Sequence, residues 1–190
     1  WYKFRAADWG YSSPACVLWF AVDYNNNLWI YRELYTSKVT ADVFARKVLE
    51  LESGEYIQYG VLDSSTWAKR GDVGPSIAET MIQQGCRWRQ SDRSPKSRIS
   101  GKLEIHKRLL VNDKEPGLRI SKNCRNLIRT LGTLPTDDKN PEDVDTNAED
   151  HAYDALRYGC MSRPMHPTYA KRFKPMFTPE FKPADNKFGY

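Results

Sequence analysis

The chain has 190 residues, 40% hydrophobic and 13% aromatic, which suits one domain with a real core and excludes global disorder. Its net charge of +5 and pI near 9.0 are compatible with a polyanionic partner without establishing one. No apolar run approaches the roughly 18 residues of a membrane span, and no signal peptide is visible. The chain starts at Trp1 without a methionine, which predicts a piece of something longer. Cys16, Cys86, Cys124 and Cys160 form no C-x-x-C pair, so the expectation is buried free thiols in a reducing compartment and no zinc site.

In chain order, residues 4–9, 15–24 and 28–35 read as three strands rich in β-formers, the last two joined at the Asn25-Asn26-Asn27 turn. Short connections make them an antiparallel meander. Thr40 is the predicted N-cap of a helix with an apolar stripe of Val43, Phe44, Val48, Leu49 and Leu51, ending near Ser53-Gly54. Residues 57–63 form a fourth strand. The intervening helix implies a crossover, so this strand runs parallel to the first. A helix over 76–84 ends at Gly85, and a short strand follows at 86–90.

Residues 96–111 look helical and basic, 118–120 strand-like, and 122–131 helical with Leu127, Ile128 and Leu131 facing inward. The Asp/Asn/Pro-rich stretch 135–147 reads as a loop, and 148–162 as the last packed helix. The expected domain is 1–163. Residues 164–190, with recurring prolines among basic and aromatic residues, form an expected extended or disordered tail that either binds DNA or a partner groove or has no role. An antiparallel meander followed by crossovers is an α/β fold with a mixed sheet of ribonuclease-H-like topology.

Three aspartates carry the predicted chemistry. Asp8 ends strand one before Trp9-Gly10, and Asp63 ends strand four. If those strands are parallel neighbours, both carboxylates emerge where ligands bind in open α/β sheets. Asp154 lies on the last helix, with His151 at i,i+3 and Asp150 at i,i+4 able to share its face. Clustered carboxylates repel, so one takes up a proton unless divalent cations remove the penalty. Oxygen ligands suit Mg²⁺ or Mn²⁺, and two ions about 4 Å apart would hold the attacking water and leaving oxygen of a phosphodiester. Asp150 reads as a helix-dipole partner rather than a ligand. His151 is either a surface histidine or a member of the site.

At these residues the chain resembles a known family. Residues 150–158, Asp-His-Ala-Tyr-Asp-Ala-Leu-Arg-Tyr, are similar to the D-H-x-x-D-A-x-R-Y signature of the C-terminal nuclease domain of the large terminase subunit of tailed double-stranded DNA bacteriophages. Asp8-x-Gly10 and Val61-Leu62-Asp63 resemble its first and second catalytic motifs, and the likeness spans roughly residues 3–162. The resemblance implies a ribonuclease-H-like endonuclease that cuts concatemeric viral DNA with Mg²⁺ or Mn²⁺. Asp8, Asp63 and Asp154 would then be metal ligands, with His151 beside the metal as ligand or proton carrier. It also implies an ATPase motor domain, a portal protein and a small terminase subunit as partners, in the bacterial host cytoplasm and transiently at the procapsid portal.

The pattern departs from the family in two respects. No G-x-x-x-x-G-K-[ST] loop occurs, so this stretch cannot drive DNA translocation. The fourth carboxylate of ribonuclease H has no clear match. Glu50 and Glu52 lie on a suitable helix but read as helix-surface charge. Lys96, Arg98 and Lys102, with Gly101 permitting close approach to a phosphate, form either a DNA-backbone contact or a solvated helix face. The alternatives to a terminase nuclease are another ribonuclease-H-like nuclease, such as a junction resolvase or transposase, and a docking module for DNA or the portal with a decayed site.

Overall fold

The computed structural model describes residues 1–69, 74–110, 115–137, 142–145 and 148–164. Strands β1 (Tyr2–Asp8), β2 (Ala15–Val22) and β3 (Leu28–Thr36) form the expected meander. Every residue of β2 is buried, because it lies mid-sheet with helices on both faces. Helix α1 (Ala41–Leu51) carries the crossover to β4 (Gly60–Leu62), which pairs parallel with β1 as expected. The regular strand is shorter than 57–63. Its pairing nevertheless extends at both ends, through Gln58 N–H to the Lys3 carbonyl at 2.9 Å and Asp63 N–H to the Ala7 carbonyl at 3.1 Å.

Helix α2 (Ile77–Gln83) starts with a capping box between Ser76 and Glu79 and leads to the two-residue strand β5 (Arg89–Gln90). Then come α3 (Ser97–Leu109), β6 (Leu118–Ile120), α4 (Arg125–Thr133) and α5 (His151–Ser162). Among the described residues the sheet order is β5-β4-β1-β2-β3-β6, with β4, β5 and β6 joined in parallel.

The helices divide between the two faces. Phe44, Ala45 and Val48 of α1 and Ala78 and Met81 of α2 pack with Ala7, Trp19 and Leu62. On the other face Ala152, Ala155 and Leu156 of α5, Ile105 of α3 and Leu127 of α4 cover Phe4, Ala6, Leu18 and Phe20. Helix α5 is buried from Ala152 to Cys160, and two glycines let it sit that deep. A Cβ on Gly159 would lie 2.3 Å from Phe20 Cζ, and one on Gly101 of α3 would lie 2.4 Å from Arg157 Cγ. Gly101 therefore admits the Arg157 side chain, not a phosphate, which corrects the expectation from sequence.

Two other expectations fail. Ile128 is 47% exposed, and Thr130 takes the inward place on α4 beside Leu127. Glu52 is buried rather than a surface charge. It accepts hydrogen bonds from Arg5 and, at 2.7 Å, from Trp19 Nε1. All four cysteines are buried and free. No helix among the described residues is long and apolar enough to cross a membrane. The expected tail lies, beyond Pro164, outside the described residues.

Candidate active site at the carboxyl ends of β1 and β4

The register pairs Ala7 with Leu62, so Asp8 and Asp63 leave neighbouring parallel strands side by side. Side chains alternate along a strand. Asp8 therefore shares the face of Phe4 and Ala6, and Asp63 that of Val61, which is the face α5 covers. The N-terminus of α5 arrives at this edge. His151 Nδ1 lies 2.8 Å from Asp8 Oδ2, and the Tyr158 hydroxyl donates to Asp63 Oδ1 at 3.3 Å. The structure thus brings Asp8, Asp63, His151 and Asp154 together, under a helix end whose dipole favours negative charge.

Each carboxylate has a distinct setting. Asp63 caps the 3₁₀ turn Ser64–Trp67 and accepts from the Ser65 N–H at 3.3 Å and from the Ser65 hydroxyl. Asp8 is 8% exposed, and burial, together with the charges of Asp154 and Asp63, pushes its carboxyl up to about 7 against the opposing pull of His151. The same hydrogen bond to Asp8 raises His151 above its ordinary value. Asp8 and His151 therefore form a hydrogen-bonded acid–base pair across the strand end and the helix end. Asp154 is equally buried, and guanidinium groups hold both its oxygens: Arg157 Nε at 3.0 Å and Arg98 Nη1 at 3.3 Å.

Arg98 is the hub of the outer half of the site. Its Nε donates to Asp143 Oδ2 at 2.9 Å, and its Nη2 lies 3.8 Å from Asp150 Oδ2. Burial and the Asp154 charge raise the Asp150 carboxyl above its ordinary value. Lys102 Nζ donates to the Asp143 carbonyl at 3.0 Å, on the same side of α3. Lys96 is exposed, at the N-cap of α3 in the left-handed region, with φ 65°. Of the three basic residues read as a DNA contact, Arg98 and Lys102 face the acidic cluster and Lys96 faces solvent.

Sequence reasoning gave no role to Arg157, Tyr158, Ser65 or Asp143, although the first two stand in the signature at residues 150–158. Those two lie at i,i+3 and i,i+4 from Asp154, a spacing that marks them as its neighbours. Ser65, two residues beyond Asp63, has the spacing of an Asx turn. Asp143 comes from the stretch 135–147, where nothing in the sequence singles it out.

Among the described residues no three His, Cys, Asp or Glu side chains are close enough to form a ready metal cage. The donor chemistry nonetheless fits a hard divalent cation. It offers three carboxylates and an imidazole, and Asp8, raised first by burial and then by the charges of Asp154 and Asp63, is a carboxyl whose ionised form a cation would favour. Asp154, held by two arginines, is the member that would have to turn.

The sheet order and the place of this edge define a class, the ribonuclease-H-like α/β fold. More narrowly, the fold is that of phage large terminase nuclease domains. The chain is similar to the nuclease domain of the large terminase of phage P22, with 17% identity, TM-score 0.67, and 85% of this chain matched to 81% of that one. The large terminase nuclease of thermophilic phage G20c gives 15% identity, TM-score 0.58, and 86% matched to 83%. That nuclease also has structures with bound cobalt and bound zinc. The large terminase of another thermophilic bacteriophage gives 14% identity and TM-score 0.66, and the chain spans 38% of its length. No family model matches the chain, and no curated protein matches it in sequence.

Proposed function

We propose that this chain is the nuclease domain of a large terminase, a divalent-metal-dependent endonuclease that cuts concatemeric viral double-stranded DNA during genome packaging. The observation that carries this reading is the convergence of Asp8, Asp63, Asp154 and His151 from two parallel strand ends and one helix end. The terminase nuclease fold, and the cobalt and zinc held by the G20c relative, support it. Asp8, Asp63 and Asp154 would hold Mg²⁺ or Mn²⁺, which would supply an acidified water and charge neutralisation at the leaving 3′ oxygen.

The chain's own groups do the remainder. Tyr158 and Ser65 orient Asp63. Arg157 orients Asp154. His151 holds the Asp8 carboxylate and can carry the proton that Asp8 gives up. In the full-length protein the partners would be an ATPase motor domain, the portal and the small terminase subunit, in the host cytoplasm and at the procapsid portal. A plasmid-nicking assay tests the activity. Cutting with Mn²⁺ that EDTA abolishes is expected, and an inert protein would leave only a docking role.

Two measurable consequences follow from the site's electrostatics. A carboxyl raised to about 7 must lose its proton to bind a cation. Mn²⁺ affinity should therefore rise about tenfold per pH unit up to neutrality and level off above it. Calorimetric titration between pH 5.5 and 8 checks this, and a flat profile would remove Asp8 from the ligand set.

Arg98→Gln removes a cation that competes for Asp154. At an effective dielectric of 20, unit charges 4 Å apart interact by about 4 kcal/mol, and Arg98 is partly solvent-screened. Mn²⁺ binding should therefore tighten by about tenfold, while the metal-free protein melts earlier. Unchanged or weaker binding would make Arg98 a fixed support of the site.

A further inference from the structure

Beside Asp63 a groove of about 310 Å³ is lined by residues 89–92, by Tyr158, Met161 and Ser162 of α5, and by Val61. It opens on the candidate active site, because Tyr158, which lines it, carries the hydroxyl bound to Asp63 at 3.3 Å.

One cation, Arg89, lines the groove, and a second, Arg163, lies beyond its Ser162 end; both are mounted on aromatic plates. The Tyr59 ring stacks on Phe4, with centroids 4.9 Å apart and planes 12° from parallel. Its hydroxyl lies 3.2 Å from Ser162 Oγ. On the ring's other side the Arg89 guanidinium sits 3.7 Å from the centroid. Tyr2 lies 6.1 Å from Tyr59, and the Arg163 guanidinium lies 4.9 Å from the Tyr2 centroid. Stacking uses the flat face of a guanidinium and leaves its in-plane N–H groups directed outward, the geometry that grips phosphate.

Neither cation is neutralised. Among the described residues no carboxylate pairs with Arg89, and Arg163 Nε donates to the neutral Asn26 side chain at 2.9 Å. Arg87 and Arg93, both exposed, flank this edge. One acid, Asp92, also lines the groove and keeps its charge while accepting from the Ser94 N–H at 2.8 Å and the Ser94 hydroxyl at 2.9 Å. The segment after Pro164 starts nearby but is itself basic, with Lys171, Arg172, Lys174, Lys182 and Lys187 against Glu180 and Asp185. A basic segment does not complement this edge, whereas a polyanion does, because Arg87, Arg89 and Arg93 outnumber Asp92 along it.

We propose that this groove holds the sugar–phosphate backbone of the DNA strand flanking the scissile phosphate, with Arg89 and Arg163 on its phosphates. The proposal rests on the nuclease reading and gives that site its substrate path. The contacts are to backbone, so they position the duplex without selecting sequence.

The test is fluorescence anisotropy of a labelled duplex oligonucleotide with the full chain in EDTA, where no cutting occurs. Arg89→Gln and Arg163→Gln should each weaken binding three- to tenfold and reduce the slope of log affinity against log salt by about 1. Arg89→Lys, which keeps the charge, should retain the slope and guards against a glutamine variant that folds poorly. Arg46→Gln, on the opposite face of the sheet, should change nothing. Wild-type affinity and slope in a folded Arg89→Gln protein would overturn the groove while plasmid nicking by the wild type left the nuclease reading standing. A wild type that neither binds duplex nor nicks plasmid would overturn both.

Discussion

Changing Asp63 to asparagine should reduce Mn²⁺-dependent nicking by about a thousandfold or more while leaving the fold intact. The two halves of this expectation have separate physical grounds. Structurally, Asp63 is a cap. Its side chain accepts from the Ser65 N–H at the start of a 3₁₀ turn, a task asparagine performs equally well. Its negative charge also contributes to raising the Asp8 carboxyl, so removing it relieves repulsion in the metal-free protein. The melting temperature should therefore hold or rise slightly. Chemically, a neutral amide is a poor ligand for a hard cation. Loss of about 4 kcal/mol of transition-state stabilisation corresponds to roughly a thousandfold in rate. Nicking rate, Mn²⁺ affinity and melting temperature, measured on one preparation, separate these effects. A variant that cuts at close to the wild-type rate would remove Asp63 from the site, whatever its stability.

The site was legible from sequence where it depended on strand ends and helix spacing. Asp8 and Asp63 each close an apolar run, and the crossover through α1 fixed their strands as parallel, so their adjacency followed from topology alone. His151 and Asp154 followed from spacing within one helix. What stayed hidden depends on distances between elements remote in sequence. The Arg98 link to Asp143 spans 45 residues and its link to Asp154 spans 56, and no local pattern encodes either. Gly101 shows the same limit. A glycine among basic residues suggests a phosphate contact, but the close neighbour is Arg157 of a helix that arrives over 50 positions later. Glu52 was misread for a related reason. It sits at the end of α1, where charge is ordinarily solvated, and the arginine that draws it inward lies on β1.

That buried pair carries the largest expected effect on stability. Arg5, on the strand that ends at Asp8, is 4% exposed. Its Nη1 donates to both carboxylate oxygens of Glu52, and its Nη2 donates to the Arg87 carbonyl at 2.8 Å. The guanidinium also stacks 4.2 Å from the Trp88 ring centroid. Gly60 lets it lie there, since a Cβ at that position would meet Arg5 Nε at 2.9 Å and Trp88 Cε3 at 2.6 Å. Arg5 thus ties β1 to the end of α1 and to the segment entering β5. Arg5→Met leaves the Glu52 carboxylate buried with, among the described residues, Trp19 Nε1 as its remaining side-chain donor, and removing one member of a buried pair costs about 3–5 kcal/mol. For a domain of this size each kcal/mol shifts the midpoint by roughly 2–4 °C, so a fall of about 6–20 °C is expected. The double variant Arg5→Met/Glu52→Leu removes the orphaned charge and should recover most of the loss, because apolar replacement of a whole buried pair is often neutral. Denaturant unfolding of the two variants beside the wild type measures this. A single variant within about 1 kcal/mol of wild type would mean that water reaches Glu52 and that the anchoring of β1, and with it the placement of Asp8 beside Asp63, comes from the sheet pairing alone.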